Sequence, residues 1–213
     1  MAETDRIRRL YDARAASYDR SLGLTERLAL GPLRAAFGSL LAGETLDVGI
    51  GSGLNIPFYS PAVTRAVGVD LSRGMLHHAA ERARGLAIPF ARVQGDAQSL
   101  PFPDAAFDTV AVSLALCTVP DPTRALREFG RVCRPGGRLV LLEHVLSTKR
   151  PVNALLRLLS PLNERAIGCH LDRDTFELAR SLGFAVDESH RRFFDIFRLG
   201  TARPPRPTRA TLD

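Results

Sequence analysis

Glycine recurs at every second position in "LDVGIGSGLN", as Gly49, Gly51 and Gly53, directly after a short apolar run. Glycines serve where a backbone turns sharply and where a ligand approaches it closely, so this spacing points to a ligand at the carboxyl end of a strand. The dinucleotide fingerprint G-x-G-x-x-G puts its third glycine three residues after the second, where this chain has Leu54. That spacing disfavours a nicotinamide dinucleotide, and with it a dehydrogenase. Asp70, which ends "AVGVD", stands 21 residues beyond Gly49, where an acidic side chain accepts from both hydroxyls of a ribose. Asp96, in "VQGDAQ", ends a third apolar run, where its carboxylate can accept from the exocyclic amine of an adenine. All three signals fall at one edge of one sheet and together describe an adenosine-shaped site.

The elements that must hold these residues alternate short apolar runs with helical stretches, the pattern of a parallel sheet covered by helices. Strands are expected over 45–49, 66–70, 91–95, 109–113 and 138–144, with helices over 73–84 and 123–133. Asp121 and Pro122 read as the N-cap and first residue of the latter helix, and "RPGG", 134–137, as its stop and turn. Residues 1–43 read as a helical cap, with helices over 5–18 and 22–41, ahead of a main domain over 44–202. A non-sheet insertion over 146–171 reads as a lid, "GFAVDESH" and "RRFFDIFRLGTAR" as a terminal strand pair, and 203–213 as a disordered tail.

"LDVGIGSG", "VGVDLSRGML", "GDAQSLPFPDAAFDTV" and "ALREFGRVCRPGGRLVLLEHV" resemble, in order and spacing, the motifs of the class I S-adenosylmethionine-dependent methyltransferases, methyltransferase type 11 group. The resemblance is close over 40–145. "LALCTVPDP", "LEHV" and "GCHLDRDTFE" are similar to the branch that methylates quinones and phospholipids and to the small membrane-associated thiol methyltransferases. It implies an α/β fold: a Rossmann-like seven-stranded sheet in the order 3-2-1-4-5-7-6, the last strand antiparallel, with helices on both faces. It implies S-adenosyl-L-methionine as cofactor, with Gly49, Gly51 and Gly53 against the methionine portion and Asp47 near its amino group. Asp70 would bind the ribose, Leu71 and Met75 would pack near the adenine, Asp96 and Ala97 would read its edge, and Ser113 would offer backbone contacts close to the sulfonium.

Methyl transfer from a sulfonium carries its own leaving group, so the protein aligns the nucleophile and excludes water. A base is needed only where the acceptor must shed a proton, as a phenol or an acidic carbon does. His144 is the candidate base, expected at the carboxyl end of the fifth strand facing the cofactor edge, and His170 the second, implied by the branch resemblance to lie in a lid over the acceptor. Tyr11 and Tyr18, seven apart in "YDARAASYD", would share a helix side, and the resemblance makes this segment a flap over the cofactor. "VNALLRLLSPL" is the apolar candidate for gripping a lipid or a long hydrophobic substrate.

The chain has 213 residues, a hydrophobic fraction of 45% and a charged fraction of 24%, which suit one globular domain. Its net charge of +6 is carried almost wholly by arginine, with Lys149 the one lysine. The arginines are scattered without aromatic interleaving, so no nucleic-acid partner is expected, and no "NPPY"-like motif supports RNA methylation. The three cysteines, Cys117, Cys133 and Cys169, are far apart and form no C-x-x-C pair, so neither a disulfide framework nor a metal site is expected. No apolar run is long enough to span a bilayer. The expected protein is cytoplasmic with peripheral membrane contact, methylating a small hydrophobic or membrane-associated acceptor. Phosphatidylethanolamine nitrogen leads, with a thiol or a quinone carbon as alternatives and a non-catalytic cofactor-binding module as the remote one.

Overall fold

The structure, a computed structural model, describes residues 2–205. A seven-stranded sheet runs β3 (Phe90–Gln94), β2 (Val63–Asp70), β1 (Gly43–Val48), β4 (Phe107–Ser113), β5 (Cys133–His144), β7 (Phe197–Arg203), β6 (Ala185–Arg192). The pairings from β3 to β5 are parallel, and β7 runs antiparallel to both β5 and β6. This is the expected sheet, in the expected order. Both faces are covered, so the central strands are apolar on both sides rather than alternating. Val110 and Val112 face α5 (Pro122–Val132) and α7 (Thr175–Ser181), whereas Ala111 faces α3 (Gly31–Ser39) through Leu33 and Phe37. In α5, Ala125, Leu126, Phe129 and Val132 are buried at helical spacing, and each large side chain contributes roughly 1.5–3 kcal/mol. Asp121 accepts from the Arg124 N–H at 2.9 Å, which is the expected N-cap.

The "RPGG" turn takes a different form from the one expected. Phe107 pairs with Cys133 and Thr109 with Arg138, so 134–137 are an irregular stretch inside β5. Gly136 makes the detour at φ +84°. The N-terminal region is also wound differently. It comprises α1 (Ala2–Arg14), a tight turn over Ala15–Ser17, α2 (Tyr18–Thr25), a wide turn over Glu26–Leu30, and α3. The wide turn has a local cause: Pro32 has no N–H to donate, and the Gly31 N–H reaches back to Glu26 O, five residues away.

The remaining helices are α4 (Arg73–Ala83), capped by Ser72 Oγ accepting from Met75 N–H, and α6 (Arg150–Ile167). α6 fills most of the expected lid segment. Among the described residues no helix is long and apolar enough to cross a membrane. The tail expected over 203–213 lies, from residue 206, outside the described residues.

Candidate active site

The carboxyl ends of β1, β2, β3 and β4 converge on one pocket. Tyr11, Tyr18, Gly49, Gly51, Asp70, Leu71, Met75, Asp96, Ala97 and Ser113 all line it. The three glycines have positive φ, but they serve different ends. A Cβ on Gly49 would lie 2.4 Å from Ala115 Cβ, and one on Gly53 would lie 2.7 Å from Ile56 Cδ1 and 3.0 Å from Ala79 Cα. These two let the turn pack on the β4 loop and on α4. A Cβ on Gly51 would meet nothing closer than Gly49 O at 4.0 Å, so the space beside it is open pocket. Gly53 is not part of the pocket wall.

Asp70 accepts from Gly51 N–H (2.9 Å) on one oxygen and Ser72 N–H (2.8 Å) on the other. Each oxygen keeps a lone pair for a hydroxyl. Burial pushes its carboxyl up to about 6, against the pull of those N–H groups. Asp96 accepts from the backbone and side-chain amides of Gln98 at 2.9 Å, which fixes its carboxylate at the pocket wall.

Asp47 is fully buried under the glycine turn and is not part of the pocket lining. Tyr59 donates to its Oδ2 at 2.8 Å, its Oδ1 has no partner, and burial raises its carboxyl to about 7.

The "YD…YD" segment folds as two latches. The Tyr11 and Tyr18 rings stand 6.0 Å apart at the pocket, and burial raises both phenols well above their usual range. The aspartates beside them tie the cap down. Asp12 accepts from Ser72 Oγ (2.6 Å) and Gly74 N–H (3.1 Å) at the start of α4. Asp19 accepts from Ser52 Oγ at 2.5 Å and pairs with Arg82.

His144 and His170 are not brought to the pocket. The expectation that His144 faces the cofactor edge is corrected by its contacts: its Nε2 lies 3.0 Å from Cys169 Sγ. His170 sits beyond α6 with Nδ1 3.7 Å from Glu164.

Two residues that shape the site escaped the sequence reading. Arg34, buried in α3 and lining the pocket, holds Glu26 with Nε (2.8 Å) and Nη2 (2.5 Å) and donates to Asn55 Oδ1 (2.6 Å) and Ser113 Oγ (3.4 Å). Its signal was an arginine between the apolar Leu33 and Phe37 of one helix. Glu143 is fully buried at the end of β5, and its Oε1 accepts from the Ala115 and Leu116 N–H groups at 3.0 and 3.1 Å, which sets the loop after β4. Burial lifts its carboxyl to about 7. Its signal was a charge in the apolar run "LVLLEHV".

The methyltransferase domain family matches residues 46–141. The chain is 37% identical over 174 residues to a phosphatidylethanolamine N-methyltransferase of Cereibacter sphaeroides, covering 80% of this chain and 83% of that one. It is 34% identical to a demethylmenaquinone methyltransferase of Renibacterium salmoninarum, over 65% of this chain and 59% of that one. The YcgJ protein of Bacillus subtilis aligns with TM-score 0.62 at 25% identity, over 76% of this chain and 70% of that one. An S-adenosylmethionine-dependent methyltransferase of Mesorhizobium loti shares the fold with TM-score 0.62 at 21% identity, over 82% and 97%. An open cradle at Gly51, a carboxylate with acceptor capacity to spare at Asp70 and a second one at Asp96 fit S-adenosylmethionine as the cofactor. The chain belongs to the class I S-adenosylmethionine-dependent methyltransferases, and it is an enzyme of that chemistry.

Proposed function

We propose that the enzyme methylates the amine of a membrane lipid, with phosphatidylethanolamine as acceptor, while resting on the bilayer surface. S-adenosylmethionine supplies an electrophilic methyl group on a sulfonium. Asp70 holds the ribose hydroxyls, Asp96 and Ala97 read the adenine edge, and Leu71 and Met75 pack beside it. The glycine turn leaves room for the methionine portion at Gly51, and Ser113 contributes backbone contacts near the sulfonium. Tyr11 and Tyr18 close the pocket to water, held by the Asp12 and Asp19 latches.

An amine attacks as the neutral nitrogen and releases its proton to water, so no side chain need remove it. The described residues that line the pocket include no histidine, which suits an amine better than a phenol or a ring carbon. In this reading His144 and His170 take no part in the transfer.

The observation that carries the lipid assignment is the outer face of α6. Leu155, Leu158, Leu159 and Leu162 are 55%, 73%, 41% and 65% exposed at helical spacing. A bare apolar row of this kind marks an interaction surface. Exposed Lys149, Arg150, Arg157 and Arg165 lie along the same stretch, the pattern of a helix lying in an anionic lipid interface. Exposed Phe193 and Phe194 sit beside its start, where Ser147 Oγ donates to Phe194 O at 2.5 Å. The other end of α6 meets the pocket wall through α1: Arg14 donates to Ala166 O at 3.3 Å, and Gly168 packs on Ile7. Similarity to the Cereibacter enzyme supports the same acceptor.

Methylation of a quinone carbon is the second reading, favoured by similarity to the Renibacterium enzyme and opposed by the histidine-free pocket. The test uses the full chain, methyl-labelled S-adenosylmethionine, and vesicles of phosphatidylethanolamine with phosphatidylglycerol. The expected product is N-methylated phosphatidylethanolamine. A protein that binds the cofactor yet leaves these vesicles unlabelled would sink the proposal.

A further inference from the structure

Cys117, His144 and Cys169 are separated in sequence by a whole strand and by the lid helix, yet fold into one cluster. One ligating atom from each lies within 4.8 Å of the others, and His144 Nε2 is 3.0 Å from Cys169 Sγ. Both cysteines are buried. None of the three lines the cofactor pocket, so the transfer chemistry leaves the cluster without a role.

The backbone under each donor is already fixed. The His170 N–H donates to Cys117 O at 3.0 Å, joining the loop after β4 to the loop after α6. Arg173 Nη1 strengthens that join by donating to Leu116 O (2.7 Å) and Val119 O (2.6 Å). Asn163 Nδ2 donates to Cys169 O at 2.7 Å, and His144 is held in register opposite Phe197 of β7.

We propose that Cys117, His144 and Cys169 bind a zinc ion that staples the lid helix to the edge of the sheet. Two thiolates and an imidazole are a borderline-soft donor set that suits zinc and not magnesium or calcium. Zinc–sulfur bonds of about 2.3 Å and zinc–nitrogen bonds of about 2.0 Å, held tetrahedrally, set the donors roughly 3.4–3.8 Å apart. The observed cluster lies within about an ångström of that spacing, short on the His144–Cys169 edge and within reach on the others. Binding releases two protons from the three side chains to solvent and leaves two thiolates balancing the dication. The fourth position is open to water. The staple acts on the loop that joins α6 to α7, and therefore on the helix that carries the exposed leucines. It is independent of which acceptor the enzyme uses.

The test is cobalt and zinc titration of the reduced, chelator-treated full chain. The expected result is about one equivalent of cobalt per chain, with thiolate-to-cobalt charge-transfer absorption and the strong visible bands of a tetrahedral site. Zinc should displace the cobalt. Cys117→Ser and Cys169→Ser should each cut the charge-transfer intensity by about half and weaken zinc binding roughly a hundredfold. Cys133→Ser removes a buried cysteine outside the cluster and should leave the spectrum unchanged. Circular dichroism and cofactor binding report whether each variant is folded. Absence of a thiolate–cobalt band in folded protein overturns the proposal, as does a band of undiminished intensity in the two single serine variants. A Cys117–Cys169 disulfide in purified protein that takes up no metal after reduction overturns it too.

Discussion

Gly51 and Gly49 separate binding from folding at the scale of single residues. Gly51→Ala places a methyl group in open pocket space at φ +58°, so the backbone cost is about 1–2 kcal/mol while the ligand meets the new atom directly. The expected outcome is a folded protein whose cofactor affinity, by calorimetry, falls more than tenfold. Gly49→Ala drives its Cβ into Ala115 and should lose a further 1–3 kcal/mol or so of stability from overpacking, read in denaturant melts. Asp70 sets a pH dependence. With its carboxyl at about 6, it is a full acceptor only above that value, so cofactor affinity should tighten as pH rises through 6 and then level off. Asp70→Asn should bind more weakly and lose that slope. These positions were legible in the sequence because their chemistry is local: a glycine at positive φ and an acid at a strand end are neighbours of the turn they serve. Arg34, Glu143 and the cysteine pair were not, because what they touch is set by the packing of distant segments. Asp47 precedes the glycine turn in the chain but lies beneath it, against Tyr59.

Strands and helices were legible from apolar runs to within a few residues, apart from the starts of β5 and β7. The latter begins at Phe197 because Arg191 and Arg192 belong to β6; the departures at β5 and in the cap have backbone causes. "RPGG" bulges inside β5 instead of ending before it, since β5 re-pairs with β4 on either side of Gly136. The cap is five windings instead of two helices; the wide turn at Glu26–Leu30 follows from the missing N–H at Pro32, a shift that apolar periodicity cannot register. α6 was legible as an apolar segment; which of its residues stay bare depended on the tertiary fold. Leu158 and Leu162 are 73% and 65% exposed, so Leu158→Glu with Leu162→Glu should change stability by no more than about 0.5 kcal/mol per site. The same pair should abolish sedimentation of the protein with anionic vesicles. Wild-type binding should also weaken at high salt, where screening shortens to about 3 Å at 1 M. Vesicle binding unchanged in the double variant would remove α6 from the membrane account.

At the scale of the whole molecule, the fold holds the buried carboxyls of Asp47 and Glu143, and the half-buried one of Asp70, well above their ordinary range. A carboxyl whose folded pKa exceeds its unfolded one binds more protons when folded, so its contribution falls as pH rises between the two values. For Asp47 that window runs from the ordinary aspartate value of 3.8 up to about 7. Asp47→Asn keeps an acceptor for Tyr59 and removes the buried charge. It should therefore match the wild type near about pH 4 and exceed it by roughly 2–4 kcal/mol near about pH 8. Thermal melts across that range check the sign, and a variant less stable at the upper end would refute the burial argument. The proposal of a lipid acceptor rests on one juxtaposition in this architecture, the pocket at the sheet's carboxyl ends and the exposed leucine row of α6. The most direct measurement offers both acceptors at once: one vesicle preparation containing phosphatidylethanolamine and reduced demethylmenaquinone, the full chain, and methyl-labelled S-adenosylmethionine, with the lipid and quinone fractions separated and counted. Label in the phosphatidylethanolamine fraction is the predicted result; label confined to the quinone would contradict the account.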